Sequence, residues 1–155
     1  MAITVRRATA ADVDIVCEFN RLLALESEDK TLDVAVLRAG CVAALADPAK
    51  GLYFLAEEDG VVLGQSALTY EWSDWRNGWF WWFQSVYVRQ DARRRGVFRA
   101  LCRHIEEAAR QDPQVVGVRL YVERDNHVAQ ATYASIGLEK TTYLVMERYP
   151  LQPVS

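Results

Sequence analysis

Trp79-Phe80-Trp81-Trp82-Phe83-Gln84-Ser85-Val86-Tyr87-Val88, followed at a short distance by Arg93-Arg94-Arg95-Gly96-Val97-Phe98-Arg99-Ala100-Leu101, is the stretch whose reading decides the fold. Its first part is apolar on both alternating faces, as a central strand covered on each side requires. Past Gly96, residues Val97, Leu101, Ile105 and Ala108 recur as one helical stripe, which Asp112-Pro113 ends. The join is therefore a strand, a loop of a few residues and a helix that opens at a glycine. A helix N-terminus leaves backbone N–H groups unpaired and carries about half a positive charge, so with a glycine admitting close approach it can seat a pyrophosphate. Six of the fifteen arginines fall between Arg89 and Arg103, three of them (Arg93, Arg94 and Arg95) in the loop itself. The same arginines also read as a solvated loop before an ordinary helix, and spacing alone does not separate the two.

Working outward, Leu52 to Glu57, a turn at Glu58-Asp59-Gly60 and then Val61 to Tyr70 predict a hairpin. Before it, Ile3 to Arg7 alternates as a short strand. A first helix opens at Thr9 or Ala10, with Val13, Val16, Cys17, Asn20, Leu23 and Ala24 at helical spacing, and a second follows Thr31 or Asp33 until Asp47-Pro48 stops it. Beyond the central helix, Val115 to Val122 reads as a buried strand, Val128 to Ile136 as a short helix closed by Gly137, and Thr141 to Tyr149 as a final alternating strand. The order β-α-α-β-β-β-α-β-α-β predicts an α/β (α+β) fold with a mixed sheet. No repeat, low-complexity tract or linker interrupts it, so one domain over 1–155 is expected.

With 51% hydrophobic and 25% charged residues, the 155-residue chain has the composition of a globular protein, not of a disordered or disulfide-scaffold one. The longest apolar run, Cys41 to Ala46, is far short of the ~20 residues of a membrane span, and Met1 to Ala10 lacks the apolar core of a secretion signal. A cytoplasmic location without membrane association is the expectation. Cys17, Cys41 and Cys102 form no CxxC pair, and His104 and His127 have no ligand spacing, so neither disulfide nor metal is expected. A net charge of -3 argues against nucleic acid as a partner despite the arginine cluster.

The loop and helix start resemble the acyl-CoA-binding motif of the GNAT superfamily of N-acetyltransferases, Gln/Arg-x-x-Gly-x-Gly/Ala. Arg93 and Gly96 match its first two fixed positions, and Phe98 stands where the family usually has Gly or Ala. A second segment, Asn126-His127-Val128-Ala129-Gln130-Ala131-Thr132-Tyr133-Ala134-Ser135-Ile136-Gly137-Leu138, is similar to the family's Asn-x-x-Ala-x-x-x-Tyr-x-x-x-Gly-Phe, with Leu138 in place of Phe. The resemblance runs over nearly the whole chain. It implies a mostly antiparallel central sheet in which two parallel strands, Trp79 to Val88 and Val115 to Val122, splay apart around acetyl-CoA. It further implies that the backbone of Val86, Tyr87 and Val88 pairs with the pantetheine arm, the Val86 N–H facing the thioester oxygen. Arg93 to Arg95, Gly96, Val97, Phe98 and Arg99 would hold the pyrophosphate, with Asn126, Ala129 and Tyr133 beside the cofactor.

The reaction implied is transfer of an acetyl group to a primary amine, more readily that of a small molecule than of a folded protein, by direct attack in a ternary complex. Tyr133, by its place in the family segment, is the candidate acid toward the CoA sulfur. An alkyl amine titrates near ~10.4, so a base must take a proton before attack. Glu71, near a strand end, is the candidate, although Asp74, Glu123 or a held water would serve, and Glu71 also reads as a solvated carboxylate. Trp79, Trp81 and Trp82 read as core, while Trp72, Trp75 and Arg76 are candidates for binding the acceptor. A non-catalytic acyl-CoA sensor fits the same motifs, and the last strand suits pairing in a homodimer, as in relatives.

Overall fold

In a computed structural model that describes residues 2–154, the chain divides into two compact units, Met1–Tyr121 and Val122–Ser155. The first holds β1 (Thr4–Arg7), α1 (Val13–Glu28), α2 (Val34–Ala46), β2 (Leu52–Glu58), β3 (Val61–Ser73), β4 (Gly78–Val88), α3 (Val97–Gln111) and β5 (Val115–Leu120). The second holds α4 (His127–Ser135). The five strands form one sheet in chain order, antiparallel throughout except for the parallel pair of β4 and β5. This is the mixed sheet flanked by helices that the sequence predicts.

Local chemistry sets most boundaries. Thr9 and Asp12 cap each other around a short 3-10 turn that leads into α1, and Asp33 receives the N–H groups of Ala35 and Val36 at the start of α2. Asp59 and Gly60 both take positive φ, 53° and 78°, as a two-residue hairpin turn needs. Alternation along β2 then divides the core. Ala56 and Phe54 face α3, in a cluster with Leu63, Val97 and Leu101, whereas Leu55 and Tyr53 face α1 and α2, with Val16 and Cys41.

Three expectations are corrected. On α3 the buried side chains are Val97, Leu101, Cys102, Ile105 and Ala109, and Ala108 is exposed. The buried face centres nearer Cys102 and Ile105 than the stripe read from Val97, which turns Ala109 inward and Ala108 out at ~100° per residue. Trp79, Trp81 and Trp82 are half-buried, not core. Thr141 to Tyr149 alternates in hydropathy but is not a strand: every residue in it is exposed, so it has no covered face, and no ladder partner is found for it among the described residues. Alternation makes a strand only where a neighbouring strand takes its backbone bonds.

One ion pair ties β1 to the α1 cap. Arg6 donates to both carboxylate oxygens of Asp12 at 2.9 Å, and the Thr9 N–H donates to one of them at 2.7 Å. The Arg6 bonds, reinforced by Thr9, hold the Asp12 carboxyl at about 2. A carboxyl depressed in the folded state contributes stability above its unfolded value of ~3.9 and loses it as pH falls through the folded value. Urea midpoints of the unsubstituted chain are thus expected to drop more steeply between about pH 4 and pH 2 than those of Arg6→Gln. Equal slopes would show that the pair contributes nothing.

Candidate active site

Two strands that run together and then separate make the opening. β5 follows β4 only as far as Leu120 opposite Phe83, while β3 continues alongside β4 to the pair Gly64 and Val88. From Gln84 to Val88, the β5 side of β4 has no strand beside it among the described residues of the sheet. Here β4 also bulges. Ser66 of β3 faces both Ser85 and Val86, and Ser85 takes φ 50°, a left-handed conformation that is uncommon for a side-chain-bearing residue. The Gln65 amide holds the bulge by donating to the Ser85 carbonyl at 3.0 Å and to Asn20 Oδ1 at 3.3 Å. Its own Oε1 is buried with no hydrogen-bond partner among the described residues. An orphaned acceptor in the core is costly, which marks the bulge as a feature held against local preference.

Directly after β4 the chain makes a 3-10 turn at Gln90–Ala92, passes Arg94 at φ 64° and enters α3 at Gly96, φ 82°. No side chain caps α3, and a Cβ built on Gly96 meets nothing within 4 Å. A fifteen-residue helix thus starts without a side-chain cap and with open space at Gly96, shortly after the β4 edge that no strand pairs among the described residues. This arrangement fits a diphosphate followed by an extended, amide-bearing arm. Arg94 and Arg99 are exposed there. Arg93 is used internally: it donates to the Val88 carbonyl at 3.1 Å and to Glu26 at 2.6 Å, and lies over the Tyr87 ring. The Tyr87 hydroxyl donates to the same carboxylate at 2.5 Å, and Arg95 donates to Glu58. The Tyr87 bond first, and Arg93 with it, hold Glu26 below the usual carboxylate range, while burial and the Glu26 charge push Tyr87 up to about 12. Arg93 thus braces the loop against α1.

Against the bulge lies an open cleft of about 340 Å³ between α1, α2 and the sheet, lined by Asn20, Leu23, Leu37, Cys41, Tyr53 and Ser85, among others. Asn20 donates to the Tyr53 hydroxyl at 3.1 Å and to Cys41 Sγ at 3.7 Å.

In the second unit Asn126 caps α4, its Oδ1 accepting from the Ala129 N–H at 3.0 Å. Gly137 at φ 97° closes α4, and the Leu138 N–H returns to the Tyr133 carbonyl at 3.0 Å. Burial pushes the Tyr133 hydroxyl above its ordinary value.

Residues 18–138 match the model of the acetyltransferase (GNAT) family. The chain belongs to that family. Among solved structures, a possible acetyltransferase from Clostridium difficile 630 is 42% identical, with 98% of this chain and 100% of that one covered at a TM-score of 0.91. A predicted acetyltransferase from Clostridium acetobutylicum, solved with acetyl-CoA, shares the fold at 16% identity and a TM-score of 0.77, with 95% and 96% of the chains covered. No curated protein matches the chain.

In this GNAT chain, Val86, Tyr87, Val88 and residues 93 to 99 come together at the strand end and helix start, while Ala129 and Tyr133 lie on α4 and Asn126 caps it. Glu71, Trp72, Trp75 and Arg76 are not brought to that strand end. Glu71 stands opposite Phe80, six residues short of Val86 along β4, or roughly 20 Å at ~3.3 Å per residue. Its Oε1 accepts from Trp82 Nε1 at 3.0 Å and Arg119 Nη1 at 3.1 Å. Trp72 packs edge-on against Trp79, Arg76 lies over Phe80 and reaches Ser73, and Trp75 is exposed in the turn. Sequence reasoning missed Tyr53, Gln65 and Glu26. Asn20 was visible only as a polar residue in an apolar stripe.

Proposed function

We propose that this chain is an N-acetyltransferase that moves an acetyl group from acetyl-CoA to the primary amine of a small molecule by direct attack in a ternary complex. The observation that carries this reading is the uncapped start of α3 beside the unpaired edge of β4. The C. acetobutylicum protein of the same fold, solved with acetyl-CoA, supports the choice of donor. Bound acetyl-CoA supplies an acetyl group activated as a thioester, with a thiolate as leaving group.

The chain's own residues do the rest. The α3 N–H groups, with Arg94 and Arg99, hold the diphosphate, and the backbone of Val86 to Val88 orients the arm. A fixed N–H at Val86 strengthens its bond as negative charge grows on the thioester oxygen, which lowers the barrier. As the amine nitrogen bonds the acetyl carbon, the carbon–sulfur bond breaks; one proton leaves the amine and one reaches the departing thiolate. Tyr133 is proposed to give the latter, and its raised titration keeps it protonated across the neutral range.

A hundredfold excess of acetyl-CoA over its dissociation constant should stabilise the protein by ~2.7 kcal/mol, and a panel of primary amines should release free CoA thiol. Binding with no thiol release across the panel would favour the sensor reading, and no binding of any CoA derivative would overturn both.

A further inference from the structure

We infer that the cavity between α1, α2 and the β4 bulge is the acceptor site, and that it takes an aliphatic amine carrying a second cationic group, with the reacting nitrogen at Ser85 and the other cation at Glu28. This rests on the acetyltransferase reading above and adds the substrate class. Ser85 lines the cavity and directly precedes Val86, the first residue of the β4 stretch assigned to the acyl donor, so a molecule in the cavity lies next to the strand where transfer would occur.

The lining changes character along its length. At the Ser85 end stand Asn20, Tyr53 and Cys41. The Asn20 amide hydrogens are already engaged by Tyr53 and Cys41, and its oxygen by Gln65. What remains there is uncharged: hydroxyl oxygens that can accept from an N–H, and no carboxylate. Such a wall disfavours an ammonium and favours the free base, the form that attacks. Leu23, Ala24, Leu32 and Leu37 follow as apolar wall suited to methylene groups.

At the far end is Glu28, eight residues after Asn20 on α1 and so about 12 Å further along the helix. Its carboxylate is half exposed, with Lys30 Nζ at the long distance of 3.8 Å. A second cation would find its partner there, whereas an anion would meet like charge. Gly40 of α2 also lines the cavity, and a Cβ there meets nothing within 4 Å, so a side chain can leave the helix at this position without an immediate clash.

The test compares 1,4-diaminobutane, n-butylamine and 4-aminobutyrate, which share a carbon chain and differ in the far group. With acetyl-CoA, kcat/KM is expected to fall at least about tenfold at each step in that order. Glu28→Gln is expected to abolish the diamine's advantage over butylamine with acetyl-CoA affinity unchanged, and Gly40→Leu to remove turnover of all three while the fold, by circular dichroism, is kept. Calorimetry of 1,4-diaminobutane with the protein alone should show binding that Glu28→Gln weakens about tenfold. Diamine binding of this kind without transfer would support the site and sink the enzyme reading. Normal transfer with the three amines unordered, or Gly40→Leu acetylating at the unsubstituted rate, would overturn the site and leave the enzyme reading standing.

Discussion

Replacing Tyr133 by Phe is expected to lower kcat by about a hundredfold or more, the range of a lost general acid, while leaving KM for acetyl-CoA unchanged. The substitution keeps the ring and removes the hydroxyl, the group proposed to give the departing thiolate its proton. Burial raises the Tyr133 hydroxyl, so the alkaline limb of the kcat profile should lie above the ordinary tyrosine value of ~10, and should vanish in the Phe variant. Steady-state kinetics over pH would read both effects. Glu71→Gln supplies the contrast. Its carboxylate already serves Trp82 and Arg119 at the other end of the β3–β4 ladder, so a change of no more than a few-fold is expected. A hundredfold loss there would restore Glu71 as the base, and unchanged turnover in Tyr133→Phe would end the acid assignment.

Leu101→Ala should cost ~2–5 kcal/mol of stability, the largest effect expected of any substitution discussed. Leu101 is fully buried, in a cluster with Ala56, Leu63, Ala92 and Val97, and this cluster seats the first two turns of α3 on the sheet. Loss of its branched end leaves a cavity that the surrounding strands cannot close. Because the same turns carry the N–H groups proposed to hold the diphosphate, acetyl-CoA affinity should fall as well. Urea unfolding would measure the first effect and calorimetry the second. Val36→Ala on α2, where the side chain is 69% exposed, should move stability by less than ~0.5 kcal/mol. A Leu101→Ala loss as small as that would mean the cluster does not anchor α3.

The elements that were legible are those whose cause is local. The central strand follows from a ten-residue stretch apolar on both faces, and α3 from a period of 3.6 over fifteen residues. The hairpin follows from Asp59-Gly60, and the ends of α4 from Asn126 and Gly137. These depend on turns, caps and glycine, all settled within a few residues. Arg93 shows the opposite case. As sequence it is one of three equivalent arginines, yet in the fold it braces Tyr87 against Glu26, a carboxylate sixty-seven residues away. Likewise Asn20 looks like a blemish in an apolar stripe until Gln65, Tyr53 and Cys41 converge on it.

Taken alone, the order of residues determined the mixed sheet, the helix opening at Gly96 and the family to which the chain belongs, since each is written in short-range pattern. Only tertiary structure decided that Ser85 bulges into a left-handed turn, that Glu71 is committed to Arg119, that 141–149 has no ladder partner among the described residues, and that a cleft opens between α1 and α2. The reason is physical: register, edge pairing and cavity lining are contacts between residues tens of positions apart, and no local periodicity specifies which distant side chain will arrive.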